Sequence, residues 1–217
     1  MLARIAHKIA NRPFVKKLLT ENRLFVRLYF NWRYRGADPY EVTTHADERD
    51  KYKKIVGALG VKEKFDNILE IGCGEGHLTQ MIAHKGARVL AIDISDFAIG
   101  RAKKNVAGFK HAEAKRIDII TADMDETFEL VLCSEVLFYF EPDQLDGVVK
   151  KIKGLIKPGG YAALIHTLVK SDDGKGVDLK KFGARTIHNM FLDDASYSQV
   201  FDETLETYRI TIVQKSS

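Results

Sequence analysis

The chain has 217 residues, 45% of them hydrophobic, which is enough for a single globular domain with a substantial core. The sequence holds no apolar run near the ~20 residues that span a bilayer and no signal-peptide core, which argues against a membrane-spanning or secreted protein. Two cysteines are too few for a disulfide framework, so we expect a reduced, cytoplasmic setting.

Positive charge is concentrated near the N-terminus. Residues 1–35 hold nine Lys or Arg against one acid, Glu21, so this segment carries +8 in a chain whose net charge is +4. The remainder is mildly acidic, and Gly36-Ala37-Asp38-Pro39 has the composition of a turn. We therefore predict a basic helical arm over residues 1–38 and a folded body over residues 39–217.

The basic arm is predicted to form an amphipathic helix from Pro13 onwards. We expect its apolar face to pack on the body, either as a structural support or as a cover over a ligand site. Contact with an anionic membrane or with nucleic acid is the alternative that the charge leaves open. The apolar face comprises Phe14, Leu18, Phe25, Tyr29 and Trp32, and the polar face comprises Lys16, Thr20, Arg23, Arg27 and Asn31.

Beyond the arm, apolar strands alternate with helices, which predicts a doubly wound α/β fold with a mostly parallel sheet covered on both faces. The last strand has no helix after it and is predicted to be antiparallel. The predicted helices span residues 47–59, 75–85, 96–107, 142–155 and 186–191. The predicted strands span residues 66–71, 88–93, 117–121, 128–134, 160–167 and 204–213.

The first predicted strand of the body runs into a glycine-rich turn, Glu70-Ile71-Gly72-Cys73-Gly74-Glu75-Gly76. Alternate glycines let the backbone turn tightly and approach a ligand, and amides at the start of a helix attract polar or anionic groups. The next strand ends at Asp93, 17 residues past Gly76, where a carboxylate can bind the hydroxyls of a ribose. Together these features predict a site for a nucleotide-like cofactor.

Four motifs in order resemble those of the class I S-adenosylmethionine-dependent methyltransferases, over residues 40–214. The resemblance implies a seven-stranded, Rossmann-like sheet with an antiparallel terminal strand, and S-adenosyl-L-methionine as the cofactor. The motifs are Glu70–Gly76 with Asp93, Ile119–Met124, Phe128–Leu137 and Leu155–Tyr161.

Three further segments are similar to the nodulation-type N-methyltransferases, which act on the free amine of a chitooligosaccharide. This closer resemblance implies methyl transfer to a small-molecule acceptor, with an amine or hydroxyl of a saccharide favoured. The segments are Asp38–Tyr40, Ser134–Tyr139 and Gly183–Ile187.

The resemblance also implies which residues bind the cofactor, all near the carboxyl ends of predicted strands. A shift of register at the third strand would exchange Asp123 for Asp118 or Asp125, and Asp93 has the alternative role of a helix cap. The implied set is Glu70, Gly72, Cys73, Gly74, Asp93, Ile94, Asp123, Met124 and Ser134.

Catalysis needs little from the protein, because a methyl group on a sulfonium is already electrophilic and mainly needs positioning. The candidates beside the acceptor are Glu135, Tyr139 and His166. A histidine's ordinary pKa suits proton removal near neutrality, although a buried structural role is the favoured alternative for His166. His188 and His45 are weaker candidates. No spacing of Asp, Glu and His indicates a metal site.

Two other classes of protein compete with this prediction. A NAD-dependent oxidoreductase shares a glycine turn and a ribose acid, but here the third glycine comes one position early, at Gly76. An RNA- or membrane-tethered S-adenosylmethionine-binding protein would use residues 1–35 for contact. The Asn-Pro-Pro-Tyr signature of adenine methylation is absent after the fourth strand, where Cys133-Ser134-Glu135-Val136 stands. The sequence leaves the oligomeric state open.

Overall fold

A computed structural model describes residues 22–169 and 182–217. They form one seven-stranded sheet in the order β3-β2-β1-β4-β5-β7-β6, in which β7 alone is antiparallel to both its neighbours. The strands are β1 (Phe65–Ile71), β2 (Gly86–Asp93), β3 (Ala112–Arg116), β4 (Phe128–Ser134), β5 (Ile156–Thr167), β6 (Tyr197–Thr204) and β7 (Tyr208–Lys215). The helices are α1 (Arg23–Arg33), α2 (Ala46–Ala58), α3 (His77–Ile82), α4 (Asp96–Asn105), α5 (Pro142–Leu155) and α6 (Ala184–Leu192). The predicted fold class is confirmed.

Both faces of the sheet are buried, because successive strand residues point to opposite sides. In β4, Val131 and Cys133 belong to the hydrophobic cluster that α5 and α6 cover, whereas Leu130 and Leu132 belong to the cluster that α2 and α3 cover. All four side chains are fully buried. This two-sided burial explains the continuous apolar run that predicted a parallel central strand.

The prediction is wrong for the strands at the two edges of the sheet. The third strand was expected at residues 117–121, but β3 has the polar sequence AEAKR and only Ala114 is buried. The apolar residues that suggested a strand, among them Ile117 and Ile120, instead pack against the cluster beneath α5. Strand β6 was not predicted, because an edge strand with one buried residue, Tyr197, lacks an apolar pattern.

Helix α1 docks on the body through the side that was predicted to be polar, which also carries Val26 and Phe30, and this reverses the predicted orientation for the described residues. Arg23 donates two hydrogen bonds to Asp118, from Nε at 2.6 Å and from Nη2 at 2.7 Å. Arg27 and Asn31 both donate to Asp96, at 2.7 Å and 3.0 Å. The basic side of this helix therefore faces the body, because it forms ion pairs with carboxylates there. The prediction had placed the aromatic side in that position.

The opposite side of α1 carries an apolar stripe that points to solvent. Phe25 and Trp32, predicted to pack on the body, are 36% and 38% exposed, and the stripe is made of Leu24, Phe25, Leu28 and Trp32. The predicted arm residues Phe14, Lys16, Leu18 and Thr20 lie outside the described residues. Among the helices at residues 22–169 and 182–217, none combines the length and apolarity needed to cross a membrane.

Candidate cofactor and acceptor site

A cavity of about 300 Å³ lies at the carboxyl ends of β1, β2, β4 and β5, beneath α1. This edge is where open parallel sheets bind their ligands, and the volume is that of a small-molecule site. One end of the cavity is formed by the glycine turn and Asp93, and we call it the cofactor end. The other end is formed by the turn at residues 134–140, Thr167, α1 and α2, and we call it the acceptor end.

The glycine turn has a backbone that only glycine adopts without strain. Gly72, Gly74 and Gly76 have φ angles of 75°, 54° and 80°, all in the left-handed region. A Cβ at Gly72 would lie 2.6 Å from Cγ2 of Val136, and one at Gly74 would lie 2.7 Å from the hydroxyl oxygen of Tyr34. The glycines therefore permit both the turn and the close approach of Val136 and Tyr34 to it.

Asp93 ties the end of β2 to the glycine turn. Its Oδ2 accepts from the Gly74 amide at 3.0 Å, and its Oδ1 accepts from the Ser95 amide at 2.8 Å. Burial raises the pKa of Asp93 to about 6, although these amide bonds oppose the rise. The cap of α4 is Ser95, whose hydroxyl accepts from the Ala98 amide, so Asp93 is not the capping residue.

Glu70 is buried at the end of β1 and also lines the cavity. Its Oε2 accepts a hydrogen bond of 2.5 Å from the Thr79 hydroxyl on α3. Burial and, to a smaller degree, the charge of nearby Asp93 raise the pKa of Glu70 to about 8, although the hydrogen bond from Thr79 opposes the rise. The acid therefore braces the strand–turn–helix unit. Cys73 and Ile94 line the same end of the cavity.

A latch that the sequence did not reveal holds the segment after α1 over the glycine turn. Arg101 pairs with Glu75 at 2.7 Å and donates to the carbonyls of Tyr34, Arg35 and Gly36. The Asp38 amide donates to both oxygens of Glu75 at 3.1 Å. Glu75 stands inside the glycine motif, but its partners lie far away along the chain and no local pattern marks them.

The structure does not bring Asp123 and Met124 to the cavity. Asp123 is exposed, and Met124 packs against the cluster under α5. Asp118 lines the cavity instead, because β3 ends at Arg116, before the segment that was expected to be the strand. The register shift toward Asp118 is thus the one that the structure adopts, and Arg23 binds both oxygens of this carboxylate.

The turn after β4 brings Glu135 and Tyr139, the candidates beside the acceptor, to the cavity, and Ser134, predicted to bind the cofactor, lines the cavity next to them. Glu135 has a φ of 54°, which is unusual for a residue with a side chain. Thr167 donates its hydroxyl hydrogen to Oε2 of Glu135 at 2.6 Å. The Tyr139 ring meets Phe30 of α1 edge-on, with centroids 5.2 Å apart. Helix α1 and this turn therefore enclose the acceptor end together.

His166 does not face the cavity, so its predicted position at the reacting centre is wrong. Its side chain is fully buried, its Nε2 accepts from the Leu137 amide at 3.3 Å, and its Nδ1 lies 3.1 Å from Nε2 of His188. Side chains alternate along β5, so the neighbouring Thr167 points into the cavity instead. His45 is exposed and pairs with Glu41.

The lining combines aromatic rings with a surplus of acids. Tyr52 lies among several carboxylates: burial raises its pKa, and the charges of Glu70, Glu48 and Glu135 raise it further. Two of the acids, Glu48 and Asp118, pair with the lining cations Lys51 and Arg23. Among the described residues the lining acids are Asp38, Glu48, Glu70, Glu75, Asp93, Asp118 and Glu135.

Known proteins share both sequence and fold with this chain. Residues 69–162 match the model of a family described as a methyltransferase domain. An uncharacterized methyltransferase of Synechocystis sp. is 34% identical over 98 residues, which is 45% of each chain. Nodulation protein S of Sinorhizobium fredii is 24% identical over 127 residues, which is 58% of this chain and 59% of that protein. The chain thus spans about half the length of these curated relatives.

A solved structure extends the likeness over most of the chain. The crystal structure of the N-methyltransferase NodS from Bradyrhizobium japonicum, in complex with S-adenosyl-L-homocysteine, aligns with a TM-score of 0.75 at 21% identity. The alignment covers 88% of this chain and 98% of that one. The chain has the fold of the class I S-adenosylmethionine-dependent methyltransferases, and the predicted resemblance to the nodulation-type N-methyltransferases is confirmed.

Proposed function

We propose that this protein transfers the methyl group of S-adenosyl-L-methionine to an amine of a small molecule. The observation that carries the proposal is the surplus of carboxylates and aromatic rings in a cavity that begins at the glycine turn. When bound, the cofactor supplies a methyl group on a sulfonium. The residues of this chain bind, orient and shield the reactants.

The cofactor end suits S-adenosylmethionine in shape and charge. The glycine turn leaves a cradle that a Cβ would fill, and Asp93 offers a carboxylate to a ribose. The acids that line the cavity outnumber its cations, which favours a ligand with a net positive charge and opposes the two phosphates of NAD. This balance of charge supports a methyltransferase over an oxidoreductase. In this proposal Gly72, Cys73 and Gly74 pass beside the methionine part, with Glu70 bracing them.

Other residues complete the binding of the cofactor. Ile94 would pack against the adenine ring, and Ser134 would contact the methionine end through its backbone. Asp118 replaces Asp123 at this edge, but Arg23 already binds both its oxygens. The role of Asp118 is therefore to hold α1 over the cavity. Val26 and Phe30 of α1, and Tyr34 directly after it, contribute to the lining and keep water out.

The acceptor end favours an amine. Aromatic faces and carboxylates both stabilise an ammonium group, and the rings of Phe30 and Tyr139 line the same cavity as Glu135. Glu135 would bind the ammonium form and orient the nitrogen after its proton is lost. The resemblance to the nodulation-type enzymes favours a saccharide as the carrier of that amine.

The proposal is tested by titration calorimetry and by methyl-transfer assays. S-adenosylhomocysteine should bind and NAD should not. With labelled cofactor, amino sugars should be methylated and their N-acetylated counterparts should not, and the rate should rise with pH as the ammonium deprotonates. Exclusive methylation of hydroxyl groups would contradict the amine assignment.

The variant Glu135→Gln should raise the KM of the amine acceptor about tenfold, since it removes a charge that binds the ammonium form, and leave cofactor affinity nearly unchanged. The matched control is Glu129→Gln, an acid of β4 that does not line the cavity. An equal change of KM in both variants would remove Glu135 from the acceptor end.

A further inference from the structure

Three consecutive residues at the end of β5 hold the turn of the acceptor end. The Ile165 carbonyl accepts from the Glu135 amide at 2.8 Å, and the Thr167 hydroxyl donates to the Glu135 carboxylate at 2.6 Å. Between them, Nε2 of His166 accepts from the Leu137 amide at 3.3 Å. This turn carries Glu135 and Tyr139, so its position decides the shape of the acceptor end.

A buried chain of hydrogen bonds continues from His166 away from the cavity. Nδ1 of His166 lies 3.1 Å from Nε2 of His188, and Nδ1 of His188 lies 2.7 Å from the Thr211 hydroxyl. Thr211 lies 2.7 Å from Oδ1 of Asp202, and Arg209 binds both oxygens of that carboxylate. We call His166, His188, Thr211 and Asp202 the histidine relay.

Both ends of the histidine relay fix the same direction for its hydrogens. Arg209 keeps Asp202 ionised and holds its pKa low, so Asp202 accepts from Thr211 and the Thr211 oxygen accepts from His188. Nε2 of His188 must then be the acceptor, and His166 must donate from Nδ1. From the other end, the Leu137 amide can only donate, which also leaves Nε2 of His166 without a hydrogen. Both imidazoles are therefore neutral, with the hydrogen on Nδ1.

We propose that the histidine relay is a positioning device for methyl transfer. It keeps His166 oriented as the acceptor of the Leu137 amide and thereby fixes the turn that places Glu135 and Tyr139 beside the acceptor. The role in catalysis rests on the proposed function; the hydrogen assignment does not.

The histidine relay holds the turn at residues 134–140 in one arrangement, which apolar packing alone would not specify. Glu135 has a left-handed backbone, and such a conformation persists only where surrounding contacts impose it. His166 and His188 are fully buried, and a buried polar chain is favourable only when every member is satisfied. Such a chain accepts one arrangement of its members, so a defect at Thr211 is transmitted to Leu137.

The test compares Thr211→Val, which removes the hydroxyl at similar size, with Thr211→Ser, which restores it. Nitrogen-15 NMR of the whole protein should show both histidines with the hydrogen on Nδ1. Thr211→Val should shift the amide signals of residues 135–139 and lower kcat/KM for the acceptor about tenfold, with the Kd of S-adenosylhomocysteine within about twofold of wild type. Thr211→Ser should restore both readouts.

The matched control is Val213→Ala, a buried residue of the same strand that touches no member of the relay by hydrogen bond. It should lower the Tm without moving the signals of residues 135–139 or the acceptor kinetics. A hydrogen on Nε2 of either histidine would overturn the proposal, as would unchanged signals of this turn in Thr211→Val. The proposal would also be overturned if Val213→Ala changed the signals of residues 135–139 and the acceptor kinetics as much as Thr211→Val does. Failure of the wild type to bind S-adenosylhomocysteine would count against the proposed function alone, because the NMR readouts need no turnover.

Discussion

The two ends of the cavity are built from different kinds of contact. The cofactor end comes from one continuous segment, residues 70–95, in which strand ends and glycines are close in sequence. At the acceptor end, the Thr167–Glu135 and Leu137–His166 bonds join residues 32 and 29 positions apart. The cofactor end is thus determined by local backbone conformation, whereas the acceptor end depends on polar contacts between separate elements.

The largest effect is expected at the glycine turn. Gly74→Ala should lower cofactor affinity by about a hundredfold and lower the Tm, since the alanine would combine a strained φ of 54° with a Cβ 2.7 Å from the Tyr34 hydroxyl. The matched control is Gly100→Ala in α4, where a Cβ meets nothing within 4 Å and should stabilise the helix. Calorimetry and thermal unfolding measure both effects. Full affinity in Gly74→Ala would show that the backbone conformation of the cofactor end does not determine cofactor binding.

The next loss is expected at Asp93. Asp93→Ala should weaken binding of S-adenosylhomocysteine by roughly 1.5–3 kcal/mol, the usual worth of hydrogen bonds to a charged group. The exposed Asp143→Ala, in the first turn of α5, serves as the control. Unchanged binding enthalpy and affinity in Asp93→Ala would mean that this carboxylate only ties the strand to the turn.

The free energy of unfolding should depend on pH in opposite directions through Glu70, at the cofactor end, and His188, behind the acceptor end. The folded pKa of Glu70, about 8, lies above its ordinary value, so its stabilisation is complete below about pH 4 and is lost as pH rises toward 8. The folded pKa of His188, about 3, lies below the ordinary 6.5, because burial and then Arg209 disfavour its charged form. Its stabilisation is complete above pH 6.5 and is lost as pH falls toward 3.

Urea unfolding at a series of pH values measures this contrast. Each group should contribute a slope of about 1.4 kcal/mol per pH unit within its window, with opposite signs. The two windows overlap between about pH 4 and 6.5, where the opposite slopes offset each other. Glu70→Gln should therefore abolish the loss of stability between about pH 6.5 and 8 and leave the slope below about pH 4 unchanged, whereas Thr211→Ser should change neither. A Glu70→Gln protein with an unaltered profile would contradict the raised pKa.

The smallest effect is expected where α1 meets the body. Arg23→Gln breaks a partly buried pair and should cost about 1 kcal/mol in stability, whereas Arg27→Gln breaks a more exposed pair and should cost less. Sedimentation with anionic vesicles and with RNA tests the alternative role of the arm. Leu28→Gln, on the exposed stripe, should change neither the binding to vesicles nor the binding to RNA if the arm serves only the cavity.

The sequence predicts the cofactor end well because its signals are local. The spacing of Gly72, Gly74 and Asp93 follows from a strand, a turn and a helix, and the structure places all three at the cavity. His166 was misplaced because the sequence shows that a strand ends there but not which face of the strand meets the cavity. Asp123 was misplaced because an edge strand with one buried residue gives no apolar pattern to fix its register.

The orientation of α1 was also beyond the sequence. Its periodicity shows two faces, but the acids that attract one of them, Asp96 and Asp118, lie in other elements. A helix with aromatic residues on one side and arginines on the other has two ways to dock, and only the positions of the partner charges decide between them.

The place of β7 in the sheet has a consequence for how the protein matures. This strand follows all the others in the chain, yet it lies in the interior of the sheet between β5 and β6 and carries Thr211 and Arg209. A ribosome releases the glycine turn and its flanking strands more than a hundred residues before β7. The hydrogen bonds of Thr211 and Arg209 can therefore form only after β7 has been synthesised and has joined the sheet, although the segment that forms the cofactor end is present long before.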